Sequence, residues 1–161
     1  MSTNDALRWT DDLSVRTQEV DEQHKDLINL INRLDISIGK QHGQNTSRAI
    51  FDELMESAQE HFLFEESLMR LTHYPEYVHH KEQHEALMEH LRTIQYQLNT
   101  EGTDITEDVV HLQKHWWPHH IRSSDQHFSV HYERAGLIQP TDGSRHKASP
   151  TLQKPAWWKF W

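Results

Sequence analysis

The chain has 161 residues, a formal net charge of -9, fifteen histidines and no cysteine. That length fits one domain with a real core, and the acidic balance supplies no basic surface to neutralise phosphates, so no nucleic-acid partner is expected. Without cysteine there are no disulfides, zinc–thiolate sites or iron–sulfur clusters, and any metal must be held by nitrogen and oxygen.

In chain order, residues 1 to about 17 read as an irregular N-terminal arm carrying Trp9, Leu13 and Val15 across the outside of the fold. Its first residues lack the basic and apolar run of a secretory signal. No segment reaches the roughly 18 to 20 apolar residues of a membrane span, so a cytoplasmic protein is expected. The first helix runs from about Gln18 to Lys40 on the stripe Val20, His24, Leu27, Ile31, Leu34, Ile38, and stops near Gly39 and Gly43. The second opens near Thr46 or Ser47, either a fitting cap, and follows Ile50, Leu54, Ala58, His61, Glu65, Leu68 to about Leu71. Pro75 suits the first turn of the third, which carries His80, His84, Leu87, Leu91, Ile94, Leu98. A turn at Gly102 precedes the fourth, where Asp104 and Glu107 have capping-box spacing before Ile105, Val109, Leu112 and Trp116.

Four such helices with short connections predict an all-α, antiparallel up-down four-helix bundle over residues 1–138. From residue 139 the composition turns to Pro, Ser, Thr, Gly and Lys, which predicts a flexible tail over 139–161. The tail carries a net +3 against -12 for the remainder and ends in Trp157, Trp158, Lys159, Phe160, Trp161. Such a basic, aromatic end either folds back onto the domain or contacts a protein or membrane surface.

The apolar stripes are interrupted by histidines and carboxylates, which cost free energy to bury without partners. His61 and Glu65 share one helix face, as do His80 and His84, because residues four apart align. His24 comes from the first helix, and the fourth offers His120 and Asp125. A spacing of five separates side chains by about 140° on a straight helix, so the fourth helix must be distorted or ending there, and Pro118 supplies a reason. If the two carboxylates bridge two metals, five imidazoles and two carboxylates make nine bonds. A solvent bridge adds two more, and two octahedra then lack one ligand, which leaves a position for a small diatomic molecule. Two carboxylates and a hydroxide leave a diferrous pair at +1, and the ligand types suit iron but also accept zinc, copper or manganese.

Four stretches carry a resemblance. W-x-x-x-L-S-V-x-x-x-x-V-D-E-Q-H from Trp9 to His24, H-F-L-F-E-E from His61, H-K-E-Q-H from His80 and W-W-P-H-H-I-R-S-S-D from Trp116 to Asp125 resemble the bacterial hemerythrins in order and spacing. The resemblance spans roughly residues 7 to 132. It implies two iron ions bridged by oxo or hydroxo, with His80, His84 and His120 on one, His24 and His61 on the other, and Glu65 and Asp125 bridging. It further implies reversible binding of molecular oxygen at the five-coordinate iron, for storage, delivery or sensing, with no catalytic residue. Ile28, Phe62 and Trp117 would wall the oxygen pocket. Trp117 and Pro118 depart from the family, which more often has leucine at the position of Trp117.

Other readings are weaker. Glu76 and His79 form one E-x-x-H, but ferritin-like oxidases need two, and this one lies off the apolar stripe. The zincin H-E-x-x-H fails because Glu82 does not directly follow His80. An enzyme that reduces peroxide or nitric oxide at the same irons, or a sensor reporting through the tail, would share the same ligands.

Overall fold

The computed structural model describes residues 6–40, 43–100 and 104–136. Helix α1 spans Gln18–Gly39, α2 Gln44–Leu71 and α3 Tyr77–Thr100. The fourth rod is continuous but composite: α4 Thr106–His111, a π-helical turn Leu112–Trp116, α5 Trp117–His120, a second π-helical turn Ile121–Asp125, and α6 Gln126–Arg134. No strand occurs among the described residues. The expected turn at Gly102 and the whole tail from residue 139, with Trp157, Trp158, Phe160 and Trp161, lie outside them.

Side-chain bonds fix the up-down order. Ser37 and Ser47 meet at 3.0 Å near the α1–α2 connection, and Arg48 donates to the Leu98 carbonyl while Glu66 meets His84, so α2 and α3 run oppositely. Gln113 donates to Asn32, and Asp125 lies 3.2 Å from His24, which sets the fourth rod antiparallel to α1. The core between the rods is built from the predicted stripes: Leu27, Ile31, Leu34, Leu54, Leu87, Leu91, Ile94 and Val109 are all buried.

Helix boundaries depart from expectation where turn chemistry intervenes. Helix α2 starts ahead of Thr46, because Gly43 adopts φ +94 and its carbonyl accepts from the Thr46 and Ser47 N–H groups. That backbone region favours glycine, and Ser47 is thereby left free to bond Ser37 inside the bundle. Helix α3 begins at Tyr77, after Pro75, in a turn closed by the Tyr77 N–H on the Tyr74 carbonyl. At the fourth rod no capping box forms. Asp104 instead accepts from the Thr106 N–H at 2.9 Å and from the Thr106 hydroxyl, a local turn in which Glu107 plays no part.

The N-terminal arm is deeper than expected. Leu13 is fully buried and Val15 nearly so, within the same core as the helices. Asp21 accepts from the Ser14 hydroxyl and the Val15 N–H, Asn32 bonds both the N–H and the carbonyl of Leu7, and Arg122 pairs with Asp12 at 2.8 Å. Sequence pattern alone missed this, because two apolar residues in an irregular segment carry no helical period.

Leu34 is fully buried and lies on α1 about 15 Å along the axis from His24 at 1.5 Å per residue. Leu34→Ala should cost about 2–5 kcal/mol in denaturant unfolding while leaving the metal content of the protein unchanged.

Candidate metal centre

Each rod brings its polar residues to the same level of the bundle. His24 comes from α1, His61 and Glu65 from α2, His80 and His84 from α3, His120 from α5 and Asp125 from the second π turn. All seven are buried, His24 and Asp125 completely.

The second π turn explains how His120 and Asp125 cooperate at a spacing of five. The Gln126 N–H bonds the Ile121 carbonyl, five residues back, so this turn holds one residue more than an α-turn. A spacing of five therefore does here what four does on an α-helix. The helix is distorted, as expected, but it does not end, and it continues to Arg134. The first π turn ends two residues before Pro118, which donates no backbone hydrogen bond and crowds the carbonyl four residues earlier, inside that turn.

The donor atoms fall into two adjoining groups. Glu65, His80, His84, His120 and Asp125 form one; His24, His61 and Asp125 form the other. Within each, one atom per residue lies within 4.8 Å of every other. Asp125 joins them through separate oxygens. One carboxylate oxygen lies 3.0 Å from His120 Nε2 and 3.1 Å from His80 Nε2, and the other 3.2 Å from His24 Nε2. One Glu65 oxygen lies 3.4 Å from both His80 Nε2 and His84 Nε2.

Whether these residues suit a cation is decided by what their polar atoms lack. His24 Nε2, His61 Nε2, His80 Nε2, one Glu65 oxygen and both Asp125 oxygens are buried without a hydrogen-bond partner among the described residues. His84 Nε2 and His120 Nε2 face each other at 3.1 Å. A buried unsatisfied group costs about 1–3 kcal/mol, so a cluster this dense, unmatched elsewhere in the core, points to a missing common partner. Lone pairs converging at close range, on atoms poorly aligned to bond one another, fit metal ions well.

Electrostatics prepare most of the ligands. Burial holds His61 down at about 3 and His120 at about 4, so both imidazoles are neutral near pH 7 with lone pairs available. For His80 burial also opposes the charge, but Glu65 and Asp125 outweigh it and raise the ring to about 9. Burial works against the Asp125 and Glu65 carboxylates as well. Neighbouring histidines, chiefly His120 for Asp125 and His80 for Glu65, still hold both below the usual range.

Around the donors lies a layer that sequence reasoning did not assign. Gln23 sits 3.0 Å from His61 Nδ1, and the buried Glu66 lies 3.2 Å from His84 Nδ1; each fixes the orientation of its ring through the nitrogen remote from the centre. Their signal was present: both adjoin a donor residue inside the quoted motifs. Trp116 stacks on His120 with centroids 4.5 Å apart, and Phe62 stacks on His84 at 4.0 Å. The expected pocket residues Ile28, Phe62 and Trp117 are all buried, and Trp117 stands edge-on to His61 at 6.1 Å and to Phe62 at 5.8 Å. His79 and His119, which neighbour two of the donors, belong to neither group.

Comparison with known proteins agrees with this geometry. The family model described as the hemerythrin HHE cation binding domain matches residues 15–129. The chain is 34% identical to a bacteriohemerythrin of Pseudomonas aeruginosa (strain LESB58), over 91% of this chain and 87% of the relative. It is 32% identical to a bacteriohemerythrin of Stenotrophomonas maltophilia, over 76% and 79% respectively. A solved wild-type hemerythrin superposes with a TM-score of 0.73 at 20% identity, covering 78% of this chain and 97% of that one, which speaks to the fold alone. With the family model spanning most of the bundle and these relatives aligned along its length, the chain belongs to the hemerythrin family.

Proposed function

We propose that the buried cluster holds two iron ions bridged by oxo or hydroxo and that the protein binds molecular oxygen reversibly. His80, His84 and His120 would hold one iron and His24 and His61 the other, with Glu65 and Asp125 bridging. The observation that carries this reading is the convergence of unpartnered buried donor atoms on two adjoining centres that share Asp125. Once bound, the iron pair would supply the two electrons that oxygen takes up.

The protein's own residues do the rest. Gln23 and Glu66 hold the His61 and His84 rings in place, so the site is organised before a ligand arrives. The two carboxylates offset the cationic charge inside a dry core. Ile28, Phe62 and Trp117 surround the centre with apolar and aromatic surface, which keeps bulk water away and supports a pocket for a small neutral gas. The unequal donor sets favour oxygen entry at the His24 and His61 side, where fewer protein atoms are offered. No helix among the described residues is long and apolar enough to cross a membrane. We assign residues 1–138 to the oxygen-binding domain and 139–161 to a basic, tryptophan-rich tail.

Three outcomes follow. Purified protein should contain two irons per chain and show a visible charge-transfer band that appears with oxygen and disappears under vacuum. One zinc, or steady turnover of peroxide or nitric oxide without a stable adduct, would defeat the carrier reading. Asp125→Ala, which removes the residue common to both groups, should strip most of the metal by elemental analysis while the helix content stays near that of the parent. Finally, a metal must displace the proton that His80 keeps below about 9. Raising the pH from neutral therefore favours uptake and acidification opposes it. Affinity for cobalt(II), used as a coloured probe, should rise about tenfold per pH unit for that one proton and level off above about 9.

A further inference from the structure

Trp117 carries a polar atom that the apolar-wall role leaves unused. The side chain is 2% exposed, and its indole Nε1–H has no acceptor among the described residues. Tryptophan buried this deeply usually finds a partner for its N–H, since burial removes the water that would otherwise accept it. Phenylalanine or leucine would fill an apolar wall with no donor to satisfy.

The ring stands among the donor residues. Trp117 stands perpendicular to His61 with centroids 6.1 Å apart, perpendicular to Phe62 at 5.8 Å, and 6.5 Å from His120. It therefore neighbours a ring from each donor group and is nearer to His61 than to His120; His61 belongs to the group that offers three protein donors against five. Gln23 is turned to the remote nitrogen of His61 and leaves the Nε2 side clear. A ligand that completes the smaller group arrives beside the indole.

Resting on the iron-pair reading above, we propose that Trp117 is a specificity-determining hydrogen-bond donor: its Nε1–H bonds the outer atom of a small ligand seated at the His24–His61 side. The pocket then selects small inorganic ligands whose outer atom bears an accessible lone pair, linear anions such as azide above all, over ligands that cannot accept a hydrogen bond. The shape of the wall admits the ligand, and the N–H discriminates by chemistry. A made hydrogen bond in a dry site also slows departure, because leaving exposes the N–H again without a partner.

Azide titration of the iron-loaded protein, followed by its visible band, tests this. Trp117→Phe keeps aromatic bulk without the donor; it should retain iron and weaken azide binding about tenfold. Unchanged or tighter binding in that variant overturns the proposal and leaves Trp117 as bulk alone. Should the variant fail to fold or to load iron, the wild-type protein still decides: the indole N–H hydrogen-bonding band in ultraviolet resonance Raman should shift when azide is added. Azide bound with no shift, or no azide binding by iron-loaded protein, also overturns it. Failure of the underlying reading looks different, since protein that takes up no iron pair gives no charge-transfer band from the outset.

Discussion

The structure turns on one buried carboxylate. Asp125 is wholly inside the bundle, with one oxygen facing His80 and His120 and the other facing His24. A lone carboxylate in such a place would be expelled or protonated; here surrounding histidines, His120 foremost, keep it charged, and its charge together with that of Glu65 raises His80 in turn. Three of the four rods therefore meet at a single side chain. Glu65 brings in the remaining one through His80 and His84, so the level of the site is fixed by electrostatics as much as by packing.

That constraint accounts for the irregularities of the fourth rod. Regular α-geometry would turn Asp125 away from His120, and the π turn from Ile121 to Asp125 brings it back at the expense of one regular hydrogen-bond register. The first π turn and Pro118 lie immediately upstream, next to Trp116 and Trp117, which contact the donor rings. Departures from ideal helix are thus concentrated where the chain meets the centre, while α1, α2 and α3 remain regular and supply the long apolar stripes. Gly43, with its positive φ, and the Asp104 turn show the same economy at the ends of rods.

The arm gives the site its cover. Leu13 and Val15 sink into the core, and Trp9 lies 6.5 Å from His24 with Lys25 over its ring at 5.2 Å. Asn32 links this cover to the fourth rod, since it bonds Leu7 on one side and Gln113 on the other. Cover and centre are therefore linked through α1, which carries both His24 and Asn32. The His24 side is the one on which fewer protein donors are offered, and Trp9 of the arm and Trp117 stand beside its His24 and His61 rings.

By itself the sequence determined the bundle and the chemistry of its interior. Steps of three and four on each stripe fix which face is buried, and that put His24, His61, Glu65, His80 and His84 on core-facing stripes without knowledge of any contact. What only the tertiary structure decided is everything that depends on backbone departure or on partners far along the chain. The π turn that aligns Asp125 leaves no periodic trace, since a spacing of five reads as a break. The burial of Leu13, the orienting roles of Gln23 and Glu66, and the unsatisfied N–H of Trp117 depend on which groups arrive from other rods. Periodicity reports a residue's own face, whereas a hydrogen bond or an unmet donor is a property of two places in the fold at once.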